Sequence, residues 1–151
     1  MKAFLLIFLF LVSCSESNNE NTIDYKHLVL PDTATLNYVE QLKQRPIKHV
    51  EFTNLSAHNA LRHTWDKLSS KKGNYSNLIF FGDIAPAKLV TINANSTNMV
   101  SCLEDICDQT GLKWTIYFYS GELNYPMIVL GSEQMILSYK DSKINVHRNT
   151  K

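Results

Sequence analysis

The sequence predicts an α+β fold: tandem βαβ-like units, with a small mixed sheet packed against two helices. Three observations predict it. Ala57, Ala60, Leu61, Thr64, Trp65 and Leu68 fall at helical spacing, and so do Met99, Leu103, Ile106, Cys107 and Thr110. Each helical run follows an alternating, β-prone segment and a polar turn. Overlaid at an offset of 42, Val50 falls on Ile92, Phe52 on Ala94, Asn54 on Ser96, Ser56 on Asn98, Ala60 on Cys102 and Leu61 on Leu103. Strand, turn, cap and helix coincide without a gap.

The elements follow in order. Ile23 to Leu30 reads as extended. Pro31-Asp32-Thr33 opens a helix on Leu36, Val39 and Leu42, and Pro46 stops it. Val50-Glu51-Phe52 alternates as a strand. Ser56 is the candidate N-cap of the first repeat helix. Ser69 to Asn77 is a polar loop, Leu78 to Phe81 a short apolar strand, and Gly82 to Pro86 a turn. Leu89 to Ala94 reads as a strand, and Asn98 caps the second repeat helix. Gly111 fits a left-handed C-terminal cap. Leu112 to Tyr119 is aromatic and β-branched, hence a strand. Met127 to Leu130 and Met135 to Tyr139 are two further strand candidates, separated by Gly131-Ser132-Glu133. Lys140 to Lys151 is polar and reads as a frayed tail.

The first fourteen residues say where the protein belongs. Lys2 precedes a short apolar run from Ala3 to Val12, ending in Leu11-Val12-Ser13-Cys14. The run is too short to span a bilayer as a helix, which needs about 20 apolar residues. It resembles a bacterial lipoprotein signal with its lipobox. The resemblance implies that Cys14 is lipidated and becomes the mature N-terminus, placing the chain in the bacterial cell envelope. Ser15 after the cysteine resembles the outer-membrane rule. Ser15 to Asn21 holds no apolar residue and reads as a flexible tether. The expected organisation is a signal over 1–13, tether and lead-in over 14–46, an α+β domain over 47–139 and a polar tail over 140–151.

With 44% hydrophobic and 19% charged residues, the chain has the means to bury a core. A formal charge of +1 supplies no basic field for nucleic acid. Membrane attachment is expected through the N-terminal lipid alone. Besides Cys14, only Cys102 and Cys107 remain. Five helical residues give about 7.5 Å of rise and about 140° of rotation. A disulfide needs Cα atoms about 4.4–6.8 Å apart. Both are expected as buried free thiols.

Val90-Thr91-Ile92-Asn93-Ala94, then Met99 and Leu103, then Thr110-Gly111-Leu112 and Trp114 form a sequence of strand, capped helix, glycine stop and aromatic strand. That order resembles the secretin and TonB short N-terminal domain. Val50 to Leu61 with Leu78 to Phe81 resembles the unit that precedes it in extended members. Together the resemblance covers roughly half the chain. It implies a domain that binds other proteins at the outer membrane, and it carries no catalytic residue.

The residues themselves supply no catalytic set. His58 and His63 lie five apart and face different sides of a helix, and His27, His49 and His147 sit in separate segments. No metal-ligand spacing occurs, and no metal or cofactor is expected. Glu104, Asp105 and Asp108 read as a solvated helix face. Tyr117 and Tyr119 share one face of a strand. They are the candidate protein-binding residues, on an edge open to strand addition. The expected function is a membrane-anchored interaction module with an envelope protein as partner, not an enzyme, and with no small-molecule substrate identified. A structural lipoprotein without a ligand, or a small envelope enzyme, are the other readings.

Overall fold

A computed structural model describes residues 25–69, 73, 76–81, 88–119 and 125–148. Cys14, the tether and the turn at 82–86 lie outside them. The elements run α1 (Thr33–Lys43), β1 (Pro46–Ser56), α2 (Ala57–Leu68), β2 (Leu78–Phe80), β3 (Leu89–Asn98), α3 (Met99–Thr110), β4 (Lys113–Tyr119), β5 (Tyr125–Gly131) and α4 (Glu133–Arg148). The fold is α+β, as the sequence predicts.

The repeat is visible in the geometry. Ala57, Ala60, Leu61, Thr64 and Trp65 are buried on α2, and the residues 42 further on, Met99, Cys102, Leu103, Ile106 and Cys107, are buried on α3. Ser56 accepts a hydrogen bond from Asn59 N at 3.3 Å, and Asn98 accepts one from Ser101 N at 3.0 Å. These side chains satisfy backbone donors left orphaned in a first helical turn. Two residues before each cap the backbone is left-handed: Asn54 has φ 55° and Ser96 φ 57°. Strands β1 and β3 pair antiparallel, with Phe52 opposite Ile92, Glu51 opposite Asn93 and Val50 opposite Ala94. Glu51 and Asn93 are separated by the same 42 residues, so that pair marks a local pseudo-two-fold axis.

The strands of each unit part company. β1 and β3 form a two-stranded ribbon, while β2 and β4 flank β5 in a mixed sheet of order β2-β5-β4. β2 runs parallel to β5 and β4 antiparallel. Helices α2 and α3 lie between ribbon and sheet. Phe52 of β1 meets His63, and Phe80 of β2 stacks on His58, on two sides of α2. One core joins Val50 and Ile92 to Leu61, Leu103, Trp114 and Leu130. On the far face of the sheet, Val129 packs with Ile136 of α4. Both faces of β5 are therefore covered, which is why Ile128-Val129-Leu130 is an unbroken apolar run. Gly111 closes α3 at φ 79°, the left-handed cap expected of it. Gly131 is required by packing: a Cβ there would stand 2.8 Å from Phe81 Cβ.

Three expectations are corrected. Met135 to Tyr139 is helical, part of α4. Ser132 Oγ accepts from Met135 N at 3.3 Å, Glu133 sits in the first turn, and Ile136 and Tyr139 recur at i, i+3. The same helix runs to Arg148, through most of the segment read as a polar tail. The lead-in is part of the fold from Tyr25 onward. Asp32 caps α1, Val39 and Leu42 are fully buried, and Leu28 forms a parallel bridge with Trp114. Of the residues at helical spacing in the sequence, Leu61, Trp65, Leu103 and Ile106 are buried, while Leu68 is half-buried at the end of α2.

Candidate functional site: strand edges and their caps

A strand edge binds another strand only if its backbone groups are free. On the ribbon, Thr91 of β3 turns its peptide away from β1. Its N–H donates to Gln109 Oε1 at 2.9 Å, and its carbonyl accepts from Gln109 Nε2 at 3.0 Å. The Gln109 amide therefore occupies the place of a neighbouring peptide and closes that end of β3. Backbone direction alternates along an antiparallel strand. Thr91 faces outward, so Asn93 and Asn95 do too, and so do their partners Glu51 and His49 on β1, together with Ile47. In the first unit the residue matching Gln109 is Lys67, an ammonium with donors only. Among the described residues nothing hydrogen-bonds the outward peptides of Ile47, His49 and Glu51. The flanking side chains are polar. His49 lies 2.8 Å from Asn95 Oδ1 and 3.3 Å from Glu51 Oε2.

β4 is also an edge strand, but it is largely covered. Val29 N donates to Trp114 O at 2.8 Å, and Trp114 N to His27 O at 3.0 Å. Thr35 of α1 donates to Ile116 O at 3.3 Å. Of the outward peptides beyond Ile116, that of Phe118 has no partner among the described residues. Tyr117 is half-buried and meets Tyr139 of α4 at 5.3 Å between ring centroids. Phe118 meets Tyr38 of α1 edge-on at 6.2 Å. Tyr117 is thus a packing residue between sheet and α4, and the Tyr119 side chain lies outside the described positions. The helix that covers Tyr117 is α4, read from sequence as a strand.

The acidic face of α3 is more than solvated. Glu104 accepts from Trp114 Nε1 at 2.6 Å, satisfying a polar atom of a fully buried ring. Asp108 pairs with Lys26 and lies 2.9 Å from His27 Nε2. These two partners, Lys26 first, hold its carboxyl below the usual aspartate range. His27 Nδ1 lies 3.4 Å from Lys113 Nζ. Both ring nitrogens of this buried histidine are engaged in fastening the lead-in to α3 and β4. Cys102 and Cys107 are free and buried, and burial raises both thiols. Among the described residues no group of three or more His, Cys, Asp or Glu is placed to hold a metal ion.

Sequence spacing gave no hint of Gln109 as an edge cap, because its partner lies on another element. The offset of 42, which aligns Gln109 with Lys67, is the one signal that distinguishes the two ribbon edges. Comparisons with protein-family models, with curated proteins and with solved structures return no match.

Proposed function

We propose that this chain is a lipid-anchored protein-interaction module of the bacterial envelope, without catalytic turnover, and that its partner adds as a strand to the outer edge of β1. One observation carries the reading. Among the described residues nothing hydrogen-bonds the outward peptides of Ile47, His49 and Glu51, whereas the matching edge of β3 is closed at Thr91 by Gln109. Strand addition uses just such groups for affinity and leaves specificity to side chains. The lipobox at Leu11 to Cys14 and the polar tether support attachment to a membrane by lipid. Among the described residues no helix is long and apolar enough to cross one. The resemblance to the secretin and TonB short N-terminal domain supports an interaction role. Of the residues that carry it, Val90 to Ala94 lie in β3, Met99 and Leu103 are buried on α3, and Trp114 lies in β4.

The experiment is crosslinking capture from intact envelopes, using the full chain and a Glu51→Pro variant. Proline at Glu51 removes an N–H that faces away from β3, so the ribbon ladder is kept. Capture is expected to fall while the thermal melt stays cooperative. Equal capture by a folded Glu51→Pro variant would place the contact elsewhere. Mass spectrometry of the mature chain tests the anchor, and an unmodified Cys14 or an intact Met1 removes it from the reading. Tyr117→Ser is expected to lower stability, since that ring packs on Tyr139.

A further inference from the structure

Between β4, α4 and the first turn of α1 lies a cavity of about 150 Å³. It sits on the α4 side of the sheet, across the molecule from the β1 edge. Val129, Ile136 and Tyr117 form an apolar wall. Thr115 belongs to the same wall and is 5% exposed, and its hydroxyl has no hydrogen-bond partner among the described residues. Among the described residues the buried side-chain atom that lacks a partner is His63 Nε2, so the Thr115 hydroxyl is not sealed in the core but open to the cavity, where a ligand atom can reach it. Two opposite charges line the same cavity. Lys140 is half-buried and, among the described residues, makes no ion pair. Asp32 uses Oδ1 to cap α1 through Thr35 N at 2.7 Å, and it does not pair with Lys140. Leu30, also on the wall, holds a left-handed backbone at φ 60°. Strain of that kind in a non-glycine residue collects at binding sites.

We propose that this cavity binds a free amino acid with an apolar side chain the size of leucine or phenylalanine. An apolar cavity of roughly 150 Å³ accommodates a benzene-sized group. Val129, Ile136 and Tyr117 take the side chain. Lys140 takes the α-carboxylate as a charge-assisted contact, and the Thr115 hydroxyl donates to a carboxylate oxygen. Asp32 takes the α-ammonium. A zwitterion answers both charges at once, whereas the carboxyl-terminal residue of a peptide answers only Lys140.

The test is calorimetric titration of the detergent-solubilised full chain with leucine, phenylalanine, leucinamide and N-acetylleucine. Leucine or phenylalanine is expected to bind. Leucinamide lacks the carboxylate and N-acetylleucine lacks the ammonium, so each is expected to bind about tenfold more weakly. Lys140→Gln is expected to weaken leucine by about tenfold and to abolish the discrimination against leucinamide. Thr115→Val, of nearly the same shape, is expected to weaken leucine several-fold with an unchanged melt. Absence of binding by both amino acids up to on the order of 10 mM overturns the proposal. So does equal binding of all four probes, or a Lys140→Gln variant that binds leucine as the parent does. N-acetylleucine binding as well as leucine overturns the free amino acid in favour of a peptide carboxyl terminus. The β1 edge plays no part in any arm, so partner capture and ligand binding stand or fall separately.

Discussion

Replacing Gln109 with Met isolates the edge cap on β3. Methionine keeps the length and the helix propensity of glutamine and removes the amide. The change deletes two hydrogen bonds, one to each polar group of the Thr91 peptide, at 2.9 and 3.0 Å. An intramolecular hydrogen bond contributes about 0.5–1.5 kcal/mol net. Gln109 is exposed, and ordering its long side chain offsets part of the gain, so the low end applies to both bonds: about 1 kcal/mol together. That energy corresponds to about a fivefold change in an opening equilibrium. The assay is amide hydrogen exchange by NMR. In the parent, Thr91 is expected to exchange more slowly than Asn93, whose outward N–H has no cap among the described residues. In Gln109→Met, Thr91 speeds up about fivefold, while Ile92, which faces β1, stays protected. If Thr91 already exchanges as fast as Asn93, or if the substitution leaves its rate unchanged, the inequality between the two ribbon edges is refuted.

Leu61→Ala and Leu103→Ala empty matching, fully buried positions of the repeat, and each is expected to cost about 2–5 kcal/mol in denaturant melts. An unchanged midpoint for either would mean its helix face is misassigned. Lys26 and His27 lower the folded-state pKa of Asp108, so its stabilising contribution is complete above the ordinary unfolded value, roughly 3.9, and is lost as pH falls through the lower folded value. Asp108→Asn is therefore expected to flatten the acid side of the stability profile, and parallel profiles for the two proteins would contradict this. His63 Nε2 is buried with no hydrogen-bond partner among the described residues, so His63→Leu is expected to leave stability unchanged or raise it by about 1–2 kcal/mol. A clear loss would show that the ring does more than pack on Phe52.

What could be read from the sequence was local. Ser56, Asn98 and Gly111 announce helix ends through their own side chains or lack of one, and the burial on α2 and α3 follows a period of 3.6. Pairing was not legible, because it is decided by distant partners. A βαβ pattern places its two strands side by side, yet β1 meets β3 and β2 meets β5. The closely spaced Met135, Ile136, Leu137 and Tyr139 resembled a strand. The cap that resolves the ambiguity is Ser132 before Glu133, whose hydroxyl accepts from Met135 N. His27 and Asp108 lie 81 residues apart, and no spacing rule connects them. The strand edges follow the same rule: the coverage of β4 comes from α1 and the lead-in, far away in the chain, and the ribbon edges differ in sequence by Gln109 against Lys67 at the offset of 42.

The crossing of the two repeats has a mechanical consequence. Each unit contributes its first strand to the ribbon and its second to the sheet, so neither half possesses a complete sheet of its own. The ribbon closes on pairs about 40 residues apart, and such closure comes at an entropic cost before any contact offsets it. A tug at either end therefore cannot peel off one repeat and leave its twin standing. Losing β1 strips β3 of its ladder, and with it the roof over both helices. Under load the ribbon and sheet act as a single clasp that is either shut or wholly open.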